Sequence, residues 1–214
     1  MTVLRDGGSL AGRTVAVLME TDYVEPEIDY YRMRFAEEGA RVELLTRLWG
    51  RDSITFTGHE HRLPITVDGD LEQVDDDQLR GYDALIVPSG MVSDRLRYTE
   101  QPGGIAPAVD LLRRAFELPL LKGIICHGLW LAAPIADKVR GRALTCHNNL
   151  VADARNMGAV YTDQDVVVSG DLVTARSADH CHLFARTMID LLAARTGGRA
   201  AQWWRPTVRT GGFR

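Results

Sequence analysis

The sequence predicts an α/β fold, a doubly wound and mostly parallel sheet sandwiched by helices. Three observations lead there. Three apolar runs, Thr14–Met19, Tyr82–Val87 and Leu120–Cys126, lack the polar alternation of a half-exposed strand and read as strands buried on both faces. Helical patterns separate them, and strands alternating with helices make a parallel sheet covered on both sides. The opening strand, helix and second strand span about 30 residues, the length of a βαβ unit.

Residues 1–12 read as a loose arm, followed by the first strand over Thr14–Met19. Glu20–Pro26 is an acidic loop. Pro26 suits the first turn of a helix, and Glu27–Glu38 carries Ile28, Tyr31 and Phe35 near helical spacing, ending at Gly39. Arg41–Thr46 is the second strand. Ile54–Thr57 and Leu63–Val67 read as two short strands, with His59 and His61 exposed between them. Asp75-Asp76-Asp77 is a solvated helix start. Tyr82–Val87 is a strand ending in Pro88-Ser89-Gly90-Met91, and 92–104 is rich in turn residues and charges. Ala106–Phe116 is a helix and Leu120–Cys126 the next strand. A helix follows from Leu129, which 135–141 close. Ala143–Cys146 is a short strand, Val151–Met157 a helix stopped by Gly158, and Val166–Thr174 a hairpin turning at Gly170-Asp171. Ala178–Arg195 is the final helix. Residues 13–195 read as one domain, with 196–214 as a tail containing the adjacent Trp203 and Trp204; such a pair is expected against the body or in a subunit contact.

With 214 residues and an acidic balance of 29 Asp+Glu against 25 Lys+Arg, the chain does not read as a nucleic-acid binder. It shows no apolar run long enough to span a membrane and no signal-peptide core, so a cytoplasmic location is expected. Three cysteines without export signals do not suggest a disulfide framework. The absence of a Gly-rich phosphate loop argues for no organic cofactor.

The chemistry centres on Cys126. Strand, sharp turn with the reactive residue at its tip, then helix is the layout of a nucleophile elbow, and Gly128 lets the chain pass close by. A helix start aims free N–H groups at the sulfur, which predicts a thiol pKa below its free value. A buried structural cysteine is the bland alternative. In a parallel sheet, sites form beyond the carboxyl ends of the strands, where the loops 20–27, 88–91 and 126–128 all fall.

The segment Gly123-Ile-Ile-Cys126-His127-Gly128 resembles the nucleophile motif of the DJ-1/PfpI superfamily, whose fold is flavodoxin-like and akin to class I glutamine amidotransferases. Val15–Leu18 with Glu25-Pro26-Glu27, Glu37–Val42, the strand ending in Pro88-Ser89-Gly90, Gly141-Arg142 and Gly170–Arg176 resemble further family segments in the same order, across roughly 13–193. The resemblance implies Cys126 as nucleophile, Glu27 as the acid beside it and His127 as a general base or, through its N–H, an oxyanion donor. It implies Gly90 and Met91 as further oxyanion donors, although Ser89 stands where glycine is common. Glu27 also fits a solvated first-turn residue favoured by the helix dipole, and Glu20, Asp22 and Glu25 are fallbacks expected to face solvent. His147, Asn148 and Asn149 either line the pocket or form a turn.

Asp179-His180-Cys181-His182 departs from the family pattern. His180 and His182 point to different faces of a helix, poor geometry for one metal ion. Cys181 and His182 with His127 or His147 are a conceivable metal set, His180 a possible pocket residue, and Asp179 a helix cap the plainer reading. No metal is expected.

The superfamily includes peptidases, glyoxalase-like enzymes, deglycases, isonitrile hydratases, stress sensors and transcription-factor domains, usually as dimers or higher oligomers. The expectation is therefore a homo-oligomeric, cysteine-dependent hydrolase or lyase. Its substrate would be a small carbonyl, amide or isonitrile-type molecule or a short peptide. The alternative is a thiol sensor or binding protein with an oxidisable Cys126. A tailoring role in a biosynthetic pathway is a third reading, prompted by the 180–182 segment.

Overall fold

Apolar strands need partners on both edges and cover on both faces, and the computed structural model, which describes residues 8–196, supplies both. Eleven strands are described: β1 Thr14–Leu18, β2 Arg41–Thr46, β3 Ile54–Thr57, β4 Pro64–Val67, β5 Gly69–Asp70, β6 Ala84–Val87, β7 Leu121–Ile125, β8 Ala143–Leu144, β9 Val160–Tyr161, β10 Val166–Ser169 and β11 Leu172–Ala175. Seven of them form the central sheet, in the order β10-β11-β7-β6-β1-β2-β5. All neighbouring pairs in it are parallel except β10 with β11, which is the expected hairpin. Residues of β1, β6 and β7 are buried almost throughout, as the uninterrupted apolar runs require. The chain winds from β1 towards β2 and β5, then restarts at β6 on the other side of β1. The switch point thus lies between β1 and β6, where such sheets open a crevice at their carboxyl ends.

Six α-helices are described: α1 Glu25–Glu37, α2 Asp76–Gly81, α3 Val92–Leu96, α4 Pro107–Phe116, α5 Val151–Asn156 and α6 Cys181–Thr196. Helix α1 starts at Glu25, two residues earlier than the sequence suggests, with Pro26 in its first turn as expected. It buries Ile28, Tyr31 and Phe35 on one face. Asp75 caps α2 by accepting the Gln78 N–H at 2.8 Å, as its acidic run predicts.

Several expectations are corrected. The arm is anchored from residue 9 onward: Leu10 is fully buried and its N–H donates to the Glu38 carbonyl at 2.8 Å. Part of the segment 92–104 is helix α3, whose five residues are too few to show a period. The stretch after Cys126 is a 3₁₀ helix over Cys126–Lys138 broken at Ile135, just past Pro134, whose ring removes a backbone donor. Lys122 sits fully buried in the middle of β7, donating to the Leu118 carbonyl at 3.0 Å and paired with Asp171 of the β10–β11 turn. Among the described residues no helix is long and apolar enough to cross a membrane. Trp203 and Trp204 lie outside the described residues.

Candidate active site

Four neighbouring parallel strands, β11, β7, β6 and β1, deliver their following loops to one end of the sheet. Cys126 follows β7, Ser89 and Gly90 follow β6, Ala178 follows β11, and α1 with Glu27 follows β1.

Cys126 has φ +59, a left-handed conformation that a residue with a side chain seldom adopts. The elbow is held from two sides. Gly128 passes so close to the end of β6 that a Cβ there would lie 2.6 Å from the Val87 carbonyl oxygen and 3.0 Å from that of Pro88. The buried Ser93 hydroxyl of α3 donates to the His127 carbonyl at 2.6 Å. Nothing in the sequence marks Ser93, whose five-residue helix is too short to show a period.

Cys126 is 7% exposed, and its sulfur lies 3.2 Å from Nδ1 of His127. Burial pushes its thiol up to about 11; the N–H groups of His127, Ala178 and Gly90 pull the other way, and a charge on Glu27 raises it further. The expected lowering is therefore corrected: the donors are in place, but desolvation outweighs them. His127 is held below its ordinary pKa by burial and by His147, so its ring is neutral at pH 7 and able to accept a proton.

Glu27 is fully buried. Burial raises its carboxyl to about 7 despite opposing contacts from Ser89 and Tyr31. Ser89 gives it both a backbone N–H, at 3.3 and 3.2 Å to the two oxygens, and a hydroxyl hydrogen bond. No hydrogen bond joins Glu27 to the Cys126 sulfur. Tyr31, one turn on along α1, is fully buried; burial raises its hydroxyl well above the ordinary value, and charge on Glu27, Cys181 or Cys126 would raise it further.

Gly90 has φ +76, and a Cβ there would lie 2.5 Å from the Asp22 carbonyl oxygen. That carbonyl accepts the Met91 N–H at 3.3 Å, so this expected oxyanion donor is already engaged, and the donors left are Gly90 and His127. The N–H of Ala178 joins them at the sulfur. Nothing in the sequence brings the residue after Ser177 to the elbow.

His147 reaches the site. Its ring lies 4.5 Å from that of His127, and Trp130 meets His127 edge-on at 5.1 Å. Cys126, His127 and His147 each place one ligating atom within 4.8 Å of the others. The donor set does not suit a metal: Nδ1 of His147 accepts the Asn149 N–H at 3.3 Å, whereas a metal-bound histidine ligates through one ring nitrogen and donates a proton from the other.

Other candidates lie elsewhere. Asn148 is exposed and accepts from Arg176 at 3.4 Å. His180 is tied to the Ser177 hydroxyl at 2.8 Å and to Asp165 at 3.3 Å. His182 is exposed, and Asp179 gives no side-chain cap, since the cap position belongs to Ser177. His59 and His61 are exposed in the loop between β3 and β4.

Glu25 does not face solvent. It is buried and accepts N–H groups of Glu60, His61 and Leu63 at 2.9, 2.8 and 3.4 Å; burial opposes its charge, but these donors hold it at about 2. Asp22 is paired with Arg95 and with Arg62, the latter at 3.1 Å. Glu20 is raised by burial.

A model of the family described as DJ-1/PfpI matches residues 13–191. The chain is similar to protein/nucleic acid deglycase 2 of Escherichia coli, with 31% identity over 183 residues that cover 85% of this chain and 99% of the relative. It is 28% identical to deglycase PfpI of Pyrococcus furiosus, covering 83% and 98%. Among solved structures it resembles a two-domain protein of Anabaena variabilis with DJ-1/ThiJ/PfpI-like and ferritin-like domains, with TM-score 0.74 and 25% identity. That match covers 90% of this chain and about half, 53%, of the larger one. Schizosaccharomyces pombe DJ-1 shares the fold, with TM-score 0.70 at 18% identity, over 83% and 90% of the two chains.

Proposed function

The chain belongs to the DJ-1/PfpI family, and from that premise we propose that it is a cysteine-dependent enzyme in which Cys126 attacks the electrophilic carbon of a small carbonyl compound. Amide and short-peptide carbonyl carbons, and the terminal carbon of an isonitrile-type molecule, are open to attack by the same sulfur and come after it. The observation that carries the reading is the pair formed by the Cys126 sulfur and Nδ1 of His127, 3.2 Å apart at a strained elbow. The 7% exposure of Cys126 favours a small molecule over a polypeptide chain, and relatives named deglycases favour a carbonyl or a carbonyl adduct.

In this reading the resting pair is a neutral thiol facing a neutral imidazole. As sulfur attacks, a C–S bond forms, the carbonyl π pair moves to oxygen, and the thiol proton passes to Nδ1 of His127. The N–H groups of Gly90 and His127 are available to the developing oxyanion. The proton then returns from His127 to that oxygen, leaving a neutral hemithioacetal.

The sensor alternative rests on the same N–H groups, which would also hold the oxygens of an oxidised sulfur. A thiol kept protonated by burial is poorly suited to it, because oxidation runs through the thiolate.

The test is consumption of a 2-oxoaldehyde, methylglyoxal, by the full chain. Cys126→Ala is expected to abolish it, while Cys146→Ser with Cys181→Ser is expected to retain it. Turnover that survives Cys126→Ala would reject the reading.

A further inference from the structure

We propose that Ser89 is a positioning residue that turns the Glu27 carboxyl onto the loop after β6, so that His127 rather than Glu27 takes the thiol proton. The inference deepens the proposed role of Cys126 and rests on it.

Two features of the loop after β6 carry the argument. Ser89 and Glu27 are each about 1% exposed, so both are shielded from bulk solvent. The carboxyl receives two donors from one residue: the Ser89 hydroxyl bonds one oxygen, and the Ser89 N–H reaches both. A glycine at 89, the residue the resemblance leads one to expect, would supply the N–H alone. The freed oxygen would then be open to another partner, and a protonated carboxyl would be able to donate to the sulfur.

Four groups bear on Glu27 among the described residues. From its own helix comes Tyr31, from the loop after β6 Ser89, from the elbow Cys126, and from α6 Cys181. None of these is a cation. The Ser89 hydroxyl is thus the strongest contact opposing burial in setting the Glu27 proton affinity. Hydrogen bonds to an ionised group favour it, so losing one must raise the affinity for the proton.

The experiment follows the carboxyl ¹³C resonance of Glu27 against pH in the full chain and in Ser89→Gly, assigned by its disappearance in Glu27→Gln. The midpoint is expected to rise by about one unit in Ser89→Gly. Ser89→Thr, which keeps the hydroxyl, is expected to stay near the parent value. A midpoint that does not move in folded Ser89→Gly would overturn the proposal.

A second readout is the pH profile of Cys126 alkylation by iodoacetamide in protein carrying Cys146→Ser and Cys181→Ser. Ser89→Gly is expected to move its Glu27-dependent limb to higher pH by the same amount. An unmoved limb with a shifted carboxyl midpoint would overturn the claim that Ser89 governs the pair. Failure of Cys126 to label in either protein would instead reject the nucleophile itself, which separates the two failures.

Discussion

The sulfur of Cys126 and Nδ1 of His127 are 3.2 Å apart, although the two residues are adjacent in the chain. Neighbouring side chains usually diverge. They converge here because φ +59 at Cys126 bends the backbone, and because Ser93 and the close pass of Gly128 hold that bend. Burial then keeps both partners neutral, the thiol raised and the imidazole lowered. The contact brings a neutral thiol against a neutral imidazole, and its geometry depends on residues outside the pair.

The first of these is Gly128. Its replacement by Ala would set a Cβ 2.6 Å from a β6 carbonyl oxygen, and backbone must move to relieve that contact. Gly128→Ala is expected to cost about 1–3 kcal/mol in urea unfolding. It is also expected to lower Cys126 alkylation in the protein that remains folded.

Glu27 gives a pH signature. Its carboxyl is raised from 4.5 to about 7 in the folded protein, so the fold binds this proton more tightly than the unfolded chain does. That contribution is complete below about pH 4.5 and is lost as pH rises through 7. Glu27→Gln removes the titration. The stability of this variant relative to the parent is expected to improve between pH 4.5 and 8 by about 3 kcal/mol at most, read from urea curves at each pH.

Lys122 and Asp171 form a buried pair that ties β7 to the β10–β11 turn, with Arg142 bonding the same carboxylate at 2.6 Å. Asp171→Asn leaves a buried ammonium without its counter-charge and is expected to cost about 3–5 kcal/mol. Adding Lys122→Met to Asp171→Asn is expected to recover a good part of that loss. A double-mutant cycle by urea unfolding measures the coupling.

Much of this architecture is legible in the residues. The three apolar runs became β1, β6 and β7, and Ile28, Tyr31 and Phe35 are the buried face of α1. Cys126 and Gly128 announce the elbow through their place between strand and helix. What was not legible depends on distance in the chain or on degree of burial. Ala178 meets Cys126 from 52 residues away by number, and Ser89 meets Glu27 across 62. The charge state of Cys126 turned on desolvation, which residue order does not encode. Met91 sat in the expected loop, but its N–H was taken by Asp22, a bond that only the folded loop reveals. Lys122 stood in plain view within an apolar run; an uncompensated charge there is the signal that a distant acid must meet it.

The central claim, that His127 activates Cys126, is tested most directly by the rate at which iodoacetamide modifies Cys126 at pH 7, read by mass spectrometry. The comparison is between full-chain protein carrying Cys146→Ser and Cys181→Ser and the same protein with His127→Ala. The account predicts labelling at Cys126 that slows at least tenfold when His127 is removed. Equal rates with and without His127, or no labelling of folded protein, would contradict it.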